Sequence, residues 1–314
     1  MTDVDDGNET RTKMAPNAEP RLIWDPFLGE YLAQAPARMR RRELTSACPF
    51  CADLTTGRVP PDSTAWIRPN DFPALRPPLG ECYILIYSAG HDRTFADLTP
   101  VEAIQVVGLW QTIYERLASH YTTVMSWETC GLVAGQTQRH PHGQTYGISA
   151  LPDVLARELA LVEQRETEGR GCPFCAECEE EQRGPRRILD GRFWLGFVPP
   201  YARYPYQTRL TLRRHQSHVA GLTSAEAEEL ASVLPRIIRA YNRLYEDAMP
   251  YMLALHQLAD PRYHFHIELL PVGRAPGKLQ FAASTESAWN FWLNDSFPEA
   301  KAAELRDALT EETP

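Results

Sequence analysis

Two cysteines and three histidines recur in this 314-residue chain at one fixed offset. Cys48 and Cys172, Cys51 and Cys175, His91 and His215, His140 and His264, and His142 and His266 each lie 124 positions apart. A ligand pattern repeated at constant spacing requires the same local fold to be built twice, which constrains the architecture more than any average property of the chain does. Helix punctuation follows the same offset. Thr99-Pro100-Val101-Glu102 has the form of a capping box with proline at the first helical position, and Thr223-Ser224-Ala225-Glu226 has the form of a second. Each opens an amphipathic run: Ile104, Val107, Trp110, Ile113 and Leu117 in the first, and Leu230, Val233, Leu234, Ile237, Tyr241 and Leu244 in the second. Pro235 is expected to kink the latter.

Segments rich in β-formers surround these helices, at 81–87, 122–128 and 144–149 and again at 192–198, 207–212 and 263–270. Residues 157–170 read as a charged linking helix. The expected fold class is α+β: a duplicated unit, each half a mostly antiparallel sheet backed by one main helix. Residues 1–20 lack hydrophobic periodicity and read as a tail, with an N-terminal half at 21–160 and a C-terminal half at 161–314.

Lys plus Arg number 32 against 41 Asp plus Glu, so the net charge of −9 argues against nucleic acid as a partner and leaves small phosphorylated ligands open. No run of 18 apolar residues occurs, and the first residues are acidic and polar, so the expectation is a soluble, cytoplasmic protein with no membrane partner. Seven cysteines are present, and four form two Cys-Pro-Phe-Cys units. In a reducing compartment that spacing reads as metal binding before disulfide.

The sharpest local signal is His140-Pro141-His142-Gly143-Gln144. Residues two apart on an extended segment share one side, about 7 Å apart, so His140 and His142 can serve adjacent sites with Gln144 offering an amide beside them. A neutral imidazole is a competent nucleophile near neutral pH. The spacing alone fits equally well a pair of metal ligands or hydrogen-bonded core groups.

Together with the preceding Cys-x-x-Cys and His91, this stretch resembles the galactose-1-phosphate uridylyltransferases, the transferase branch of the histidine-triad superfamily. The similarity begins at Trp24-Asp25-Pro26-Phe27-Leu28-Gly29-Glu30 and runs through Asn70-Asp71-Phe72 and Gly80-Glu81-Cys82. It continues through Met249-Pro250-Tyr251, His256-Gln257, Ala275-Pro276-Gly277-Lys278 and Glu286 to Asn294-Asp295. The resemblance implies histidine-triad-like halves and a double displacement: His142 as nucleophile toward the α-phosphorus of UDP-glucose, Gln144 as the donor to the transferred phosphoryl oxygens, and a hexose 1-phosphate as acceptor. It also implies that Arg38 and Arg41 lie near the phosphates across a homodimer interface, although a solvated basic run is their plain alternative.

Asn70, Asp71, Thr129 and Thr137 match substrate-binding positions, and Lys278, Glu286 and Asn294 match the region that meets the phosphate and hexose. Trp289, Phe291 and Trp292 read as core before pocket lining. Cys48, Cys51, His91 and His140 form a Cys2His2 set suited to structural zinc. For the second half two readings compete for His264. The repeat gathers Cys172, Cys175, His215 and His264 into a second zinc site, whereas part of the family holds iron at positions matching Glu158, His256, His264 and His266. Thiolate chemistry favours zinc, two ions per chain, and leaves Glu158, His256 and His266 as polar residues near the site or ligand-facing groups, with a solvated face of its charged helix the commoner reading for Glu158.

Two further readings stand beside the transferase: a nucleoside-diphosphate-sugar phosphorylase similar to ADP-glucose phosphorylase, and a catalytically inactive nucleotide-binding homologue. Gly143, where the phosphorylase branch tends to carry Ser, tilts the choice toward transfer. Departures from the family pattern cluster at the nucleotide. Thr129 and Cys130 stand where the family has Asn and a basic residue, Thr137 where Ser is common, and Arg139 where Pro is usual. The expectation is weaker uridine selectivity, or another nucleotide or an unusual sugar as the substrate.

Overall fold

A computed structural model describes residues 19–36, 38, 47–60 and 62–311. Arg41 and most of the expected tail lie outside the described residues. A hairpin of β1 (Arg21–Asp25) and β2 (Glu30–Gln34) comes first. The N-terminal half follows with α1 (Pro49–Thr55), β3 (Trp66–Pro69), β4 (Gly80–Ile86), α2 (Pro100–Ala118), β5 (Thr123–Cys130) and β6 (His142–Ile148). Helix α3 (Asp153–Thr167) leads into α4 (Pro173–Glu181), β7 (Arg187–Asp190), β8 (Trp194–Phe197), β9 (Thr208–Leu212), α5 (Ser224–Tyr245), β10 (Tyr251–His256) and β11 (His266–Pro271). The chain closes with β12 (Gly273–Ala275), β13 (Lys278–Leu279), α6 (Ser284–Trp289) and α7 (Pro298–Thr310).

Nine strands form one antiparallel sheet in the order β3-β4-β6-β5-β10-β11-β9-β8-β7. Up to the extra edge strand β7 the order is palindromic under the repeat, because β5, β6, β4 and β3 occupy the positions mirrored by β10, β11, β9 and β8. The two halves meet where β5 pairs antiparallel with its own repeat image β10, Glu128 opposite Leu253 and Thr129 opposite Met252. The expected α+β duplication is therefore present. The central strand β10 is not among the strands expected from sequence, because Met252, Leu253, Ala254 and Leu255 are good helix formers and only pairing on both edges makes them a strand.

Both capping boxes form. Thr99 accepts from the Glu102 amide while Glu102 accepts from the Thr99 amide, and Thr223 and Glu226 repeat the exchange. Arg93 and Arg214 grip the two carboxylates. Helix α5 continues through Pro235. Helices α2 and α5 pack together on one face of the sheet, and a single core joins Trp110, Ile113 and Leu117 of one half to Leu230, Leu234 and Ile237 of the other.

Strand alternation decides what faces the site. On β4, Tyr83 and Leu85 enter the helix-side core, while Cys82 and Ile86 point to the opposite face. On β6 the residues facing α2 are small: a Cβ on Gly147 would lie 2.5 Å from the Tyr121 ring. His142, Gln144 and Tyr146 therefore form a row on the face away from α2, the side on which Phe50 of α1 packs.

Candidate active site and metal-ligand clusters

The two Cys-Pro-Phe-Cys units each open a short helix, with proline at its start and phenylalanine turned into the protein. Around the first, Cys48 Sγ lies 3.7 Å from His140 Nδ1, and Cys51 Sγ lies 3.5 Å from the Nδ1 atoms of both His140 and His91. Around the second, Cys172 Sγ is 3.7 Å from His264 Nδ1, with Cys175 Sγ 3.4 Å from the same nitrogen and 3.5 Å from His215 Nδ1. A tetrahedral zinc with ordinary Zn–S and Zn–N bonds separates its sulfur and nitrogen ligands by about 3.6 Å. Both donor sets thus have the edge lengths that such an ion requires. The outer nitrogens are committed as well: His140 Nε2 donates to the Ser88 carbonyl at 2.6 Å, His264 Nε2 to Leu212 at 2.7 Å and His215 Nε2 to Pro261 at 3.0 Å. Those bonds fix the tautomer that leaves Nδ1 for a metal.

The competition expected for His264 does not arise. Its Nδ1 faces the two thiols and its Nε2 is bonded to the backbone, so an iron quartet of Glu158, His256, His264 and His266 is not assembled. Glu158, His256 and His266 instead gather as a separate group of three that can hold a metal. Glu158 is not the solvated residue its charged helix suggests. Its carboxylate accepts from Tyr263 and from His256 Nδ1 at 3.1 Å, with His266 Nε2 at 3.6 Å. Burial opposes its ionisation, but His256 beside it holds its carboxyl well below the usual carboxylate range.

His142 Nδ1 donates to the His140 carbonyl at 2.7 Å, which puts the proton on Nδ1 and the lone pair on Nε2. The ring is buried and packs on Phe50 at 5.0 Å. The second half repeats both contacts, with His266 Nδ1 on the His264 carbonyl at 3.0 Å and Phe174 at 4.7 Å. The first copy opens to a cleft. About 250 Å³ of space is lined by Trp127, Thr129, Gly135, Gln136, Thr137, His142, Gly143 and Gln144. In the second copy Glu268 takes the place of Gln144 and is tied to the buried Arg209 at 2.6 Å.

Of the substrate-binding candidates, Thr129 and Thr137 line the cleft, and Asn70 reaches it through a 3.4 Å bond to Gln144 Oε1. Asp71 is drawn instead into an ion-pair chain with Arg68 and the buried Asp53. Arg38 donates to Tyr146, two residues beyond Gln144. Lys278, Glu286 and Asn294 lie on the C-terminal segment and do not line this cleft. Glu286 caps α6 by accepting from the amides of Ala283 and Leu293, and Asn294 donates to the Ala202 carbonyl. Trp289 and Phe291 are 80% and 64% exposed, which overturns their reading as core, while Trp292 packs against Tyr204.

Sequence reasoning passes over Trp127, Gly135 and Gln136. Trp127 is legible two residues before Thr129 on the same strand face, and Gly135 by the left-handed turn (φ 99°) that closes the loop carrying Gln136.

Gly143 also has a local cause. A Cβ there would lie 2.0 Å from the Tyr87 hydroxyl and 2.9 Å from the Trp127 carbonyl, so packing beneath the strand excludes serine whatever the acceptor of the reaction. Deeper still, Glu128 lies opposite Gly143 on the neighbouring strand. It is fully enclosed and accepts from the Tyr251 hydroxyl at 2.9 Å, and burial pushes its carboxyl up to about 8.

The family model for galactose-1-phosphate uridyl transferase, N-terminal domain, matches residues 60–152, and that for the C-terminal domain matches residues 176–272. The chain is 30% identical over 288 residues to the galactose-1-phosphate uridylyltransferase of Streptomyces lividans, spanning 87% of this chain and 75% of that protein. To the enzyme of the same description from Thermotoga maritima it is 26% identical over 317 residues, spanning 92% and 99%. A solved structure described as a uridylyltransferase superposes with a TM-score of 0.84 at 25% identity, over 92% of this chain and 98% of that one.

Proposed function

The chain belongs to the galactose-1-phosphate uridylyltransferase family, and from that membership we propose a two-step transfer of a nucleoside monophosphate, with uridine as base, carried on His142. It is a nucleotidyltransferase working between a nucleoside-diphosphate hexose and a hexose 1-phosphate. The observation that carries the reading is the proton on His142 Nδ1, held by the His140 carbonyl, which leaves a nucleophilic Nε2 in the cleft beside Gln144.

In the first step Nε2 bonds to the α-phosphorus and the bond from phosphorus to the hexose 1-phosphate oxygen breaks. In the second, a phosphate oxygen of the incoming hexose 1-phosphate attacks the same phosphorus, and the P–N bond breaks to restore the neutral imidazole. No proton has to leave the ring in either step. The hydrogen bond from Nδ1 to the His140 carbonyl strengthens while the ring is cationic, and Gln144 donates to the phosphoryl oxygens.

Zinc, one ion in each Cys2His2 set, is the metal this reading assigns, and four protein ligands at each set leave no position for substrate. Its service is mechanical: tying Cys48 and Cys51 to His140 fixes the carbonyl on which His142 leans and the helix whose Phe50 packs on the ring. Lys278, Glu286 and Asn294 act, on this reading, on the phosphate and hexose of the substrate, and the chain works as a homodimer. Arg41 joins Arg38 near the phosphates. Cysteines free of disulfides suit a reducing compartment such as the cytoplasm. Among the described residues no helix is long and apolar enough to cross a membrane.

Incubation with UDP-glucose followed by intact-mass measurement tests the covalent step, and labelled galactose 1-phosphate against labelled inorganic phosphate tests the acceptor. A uridylyl adduct discharged by galactose 1-phosphate is the expected result. A protein that never gains mass with UDP-, ADP- or GDP-sugars would overturn it.

A further inference from the structure

Gln144 can serve an anionic phosphoryl group only if its carboxamide presents nitrogen and not oxygen, and nothing in a glutamine side chain by itself decides which end turns inward. Two neighbours decide it here. Tyr146 Oη lies 3.2 Å from Gln144 Oε1, and Asn70 Nδ2 lies 3.4 Å from the same oxygen. A phenol has a single proton, and Arg38 Nη1, which can only donate, is already bonded to Tyr146 Oη at 2.8 Å. The arginine meets an acceptor lone pair of the phenol, and the phenol donates to Gln144 Oε1. Of the two donors Tyr146 is the closer and the better fixed. Its ring is buried, packs edge-on against Trp127 at 4.6 Å and shares a small cluster with Leu75, Cys82 and Ile148.

We propose that Tyr146, held by Arg38, is a positioning residue of the transfer: it pins the carboxamide oxygen of Gln144 so that Nε2–H is the end offered to the phosphoryl group at His142. The proposal rests on the roles given to His142 and Gln144 above. Tyr146 acts through Gln144. Its period-two place after His142 and Gln144 on one strand puts nucleophile, donor and the group that orients the donor in a single row.

The test is single-turnover formation of the nucleotidyl-protein from UDP-glucose, followed by intact mass, in the full chain and in Tyr146→Phe, Gln144→Ala and the double variant. Phenylalanine keeps the ring packing, so the thermal midpoint should stay within about 2 °C of wild type. The rate at saturating UDP-glucose should fall roughly tenfold or more, with the half-saturating concentration changed less than about twofold, as expected for loss of a contact that matters in the transition state. In the Gln144→Ala background the same substitution should change the rate by less than about twofold, because its only route of action is gone. A Tyr146→Phe protein as fast as wild type would overturn the proposal. So would a further tenfold loss in the Gln144→Ala background, which would mean that Tyr146 acts on substrate directly or through Arg38. If the wild-type chain itself forms no adduct, the covalent reading falls and this proposal with it, an outcome distinct from the other two.

Discussion

The hydroxyl of Tyr87 fills the space that any side chain on Gly143 would need, 2.0 Å from where its Cβ would sit. Tyr87 is itself held by a 3.2 Å bond from Trp110 of α2, so the glycine between nucleophile and amide donor is dictated from the helix side of the sheet. Gly143→Ala is expected to cost about 1–3 kcal/mol of stability, the usual range for overpacking a filled core. Adding Tyr87→Phe should recover part of that loss, because it removes the nearest atom but leaves the ring carbon at 2.8 Å. Urea unfolding of the three proteins measures it. A Gly143→Ala protein as stable as wild type would show that the strand can move away from Tyr87.

His142→Asn should abolish the nucleotidyl adduct and lower turnover by at least about a thousandfold, while zinc content stays that of the wild type. The separation follows from the geometry: His140 Nδ1 faces the thiols, whereas His142 is tied to that site through the His140 backbone oxygen. Adduct mass and metal analysis on one preparation test both halves. Loss of one zinc in this variant would reverse the two roles.

Two zinc ions per chain are expected by elemental analysis, and Cys48→Ser and Cys172→Ser should each remove one. Because metal binding is part of folding at a closed site, each change should cost about 3 kcal/mol or more in denaturant unfolding. The Cys48 variant should also lose activity, since it frees the carbonyl that orients His142. One zinc with one iron in the wild-type protein would contradict the second assignment.

Glu128 sets a pH dependence whose sign is fixed. Its carboxyl, raised from 4.5 to about 8 by burial, stays protonated in the fold while the unfolded chain ionises above 4.5. Its contribution to stability is therefore whole below about pH 4.5, declines across the window up to about 8 and is constant above it. Glu128→Gln removes that decline. Its stability relative to wild type should rise by a few kcal/mol between pH 5 and pH 8, on the order of 1.4 kcal/mol for each pH unit crossed. A difference that stays flat over this range would mean that Glu128 is ionised in the fold.

At the nucleotide, Thr129 lines the cleft and offers one short hydroxyl where an amide would offer a donor and an acceptor. The ratio of kcat/KM for UDP-glucose to that for ADP-glucose is expected to fall below about a thousandfold, and Thr129→Asn should raise it by about tenfold. A wild-type preference above that bound would show that other residues of the cleft supply the selectivity.

What is legible in the sequence follows from where the information is held. Thiolates and imidazoles repeated at a constant offset declare their partners directly, and both Cys2His2 sets assemble as read. Capping boxes are equally local, and both form. Glu158 reads as solvated because a charged helix looks so along its whole length until the strand carrying His256 packs on one side of it. The central strand β10 escapes because its residues have little preference of their own for extension. Tyr146 carries a faint period-two signal, but its hydrogen bond to Arg38 spans 108 positions, a distance over which pattern says nothing.

The pairing of β5 with its own repeat image bears on how such a chain can be divided. Cut between its halves, the N-terminal piece would bare the hydrogen-bonding edge of β5 and the apolar side of α2 that now rests on α5. A second identical piece presents the same edge in the opposite direction, so two of them could close against each other about a true dyad. The intact chain carries that association internally. Because the joined partners are separate stretches of one sequence, their two sites need not match: one is the ion-paired interior of Arg209 and Glu268, the other a cleft.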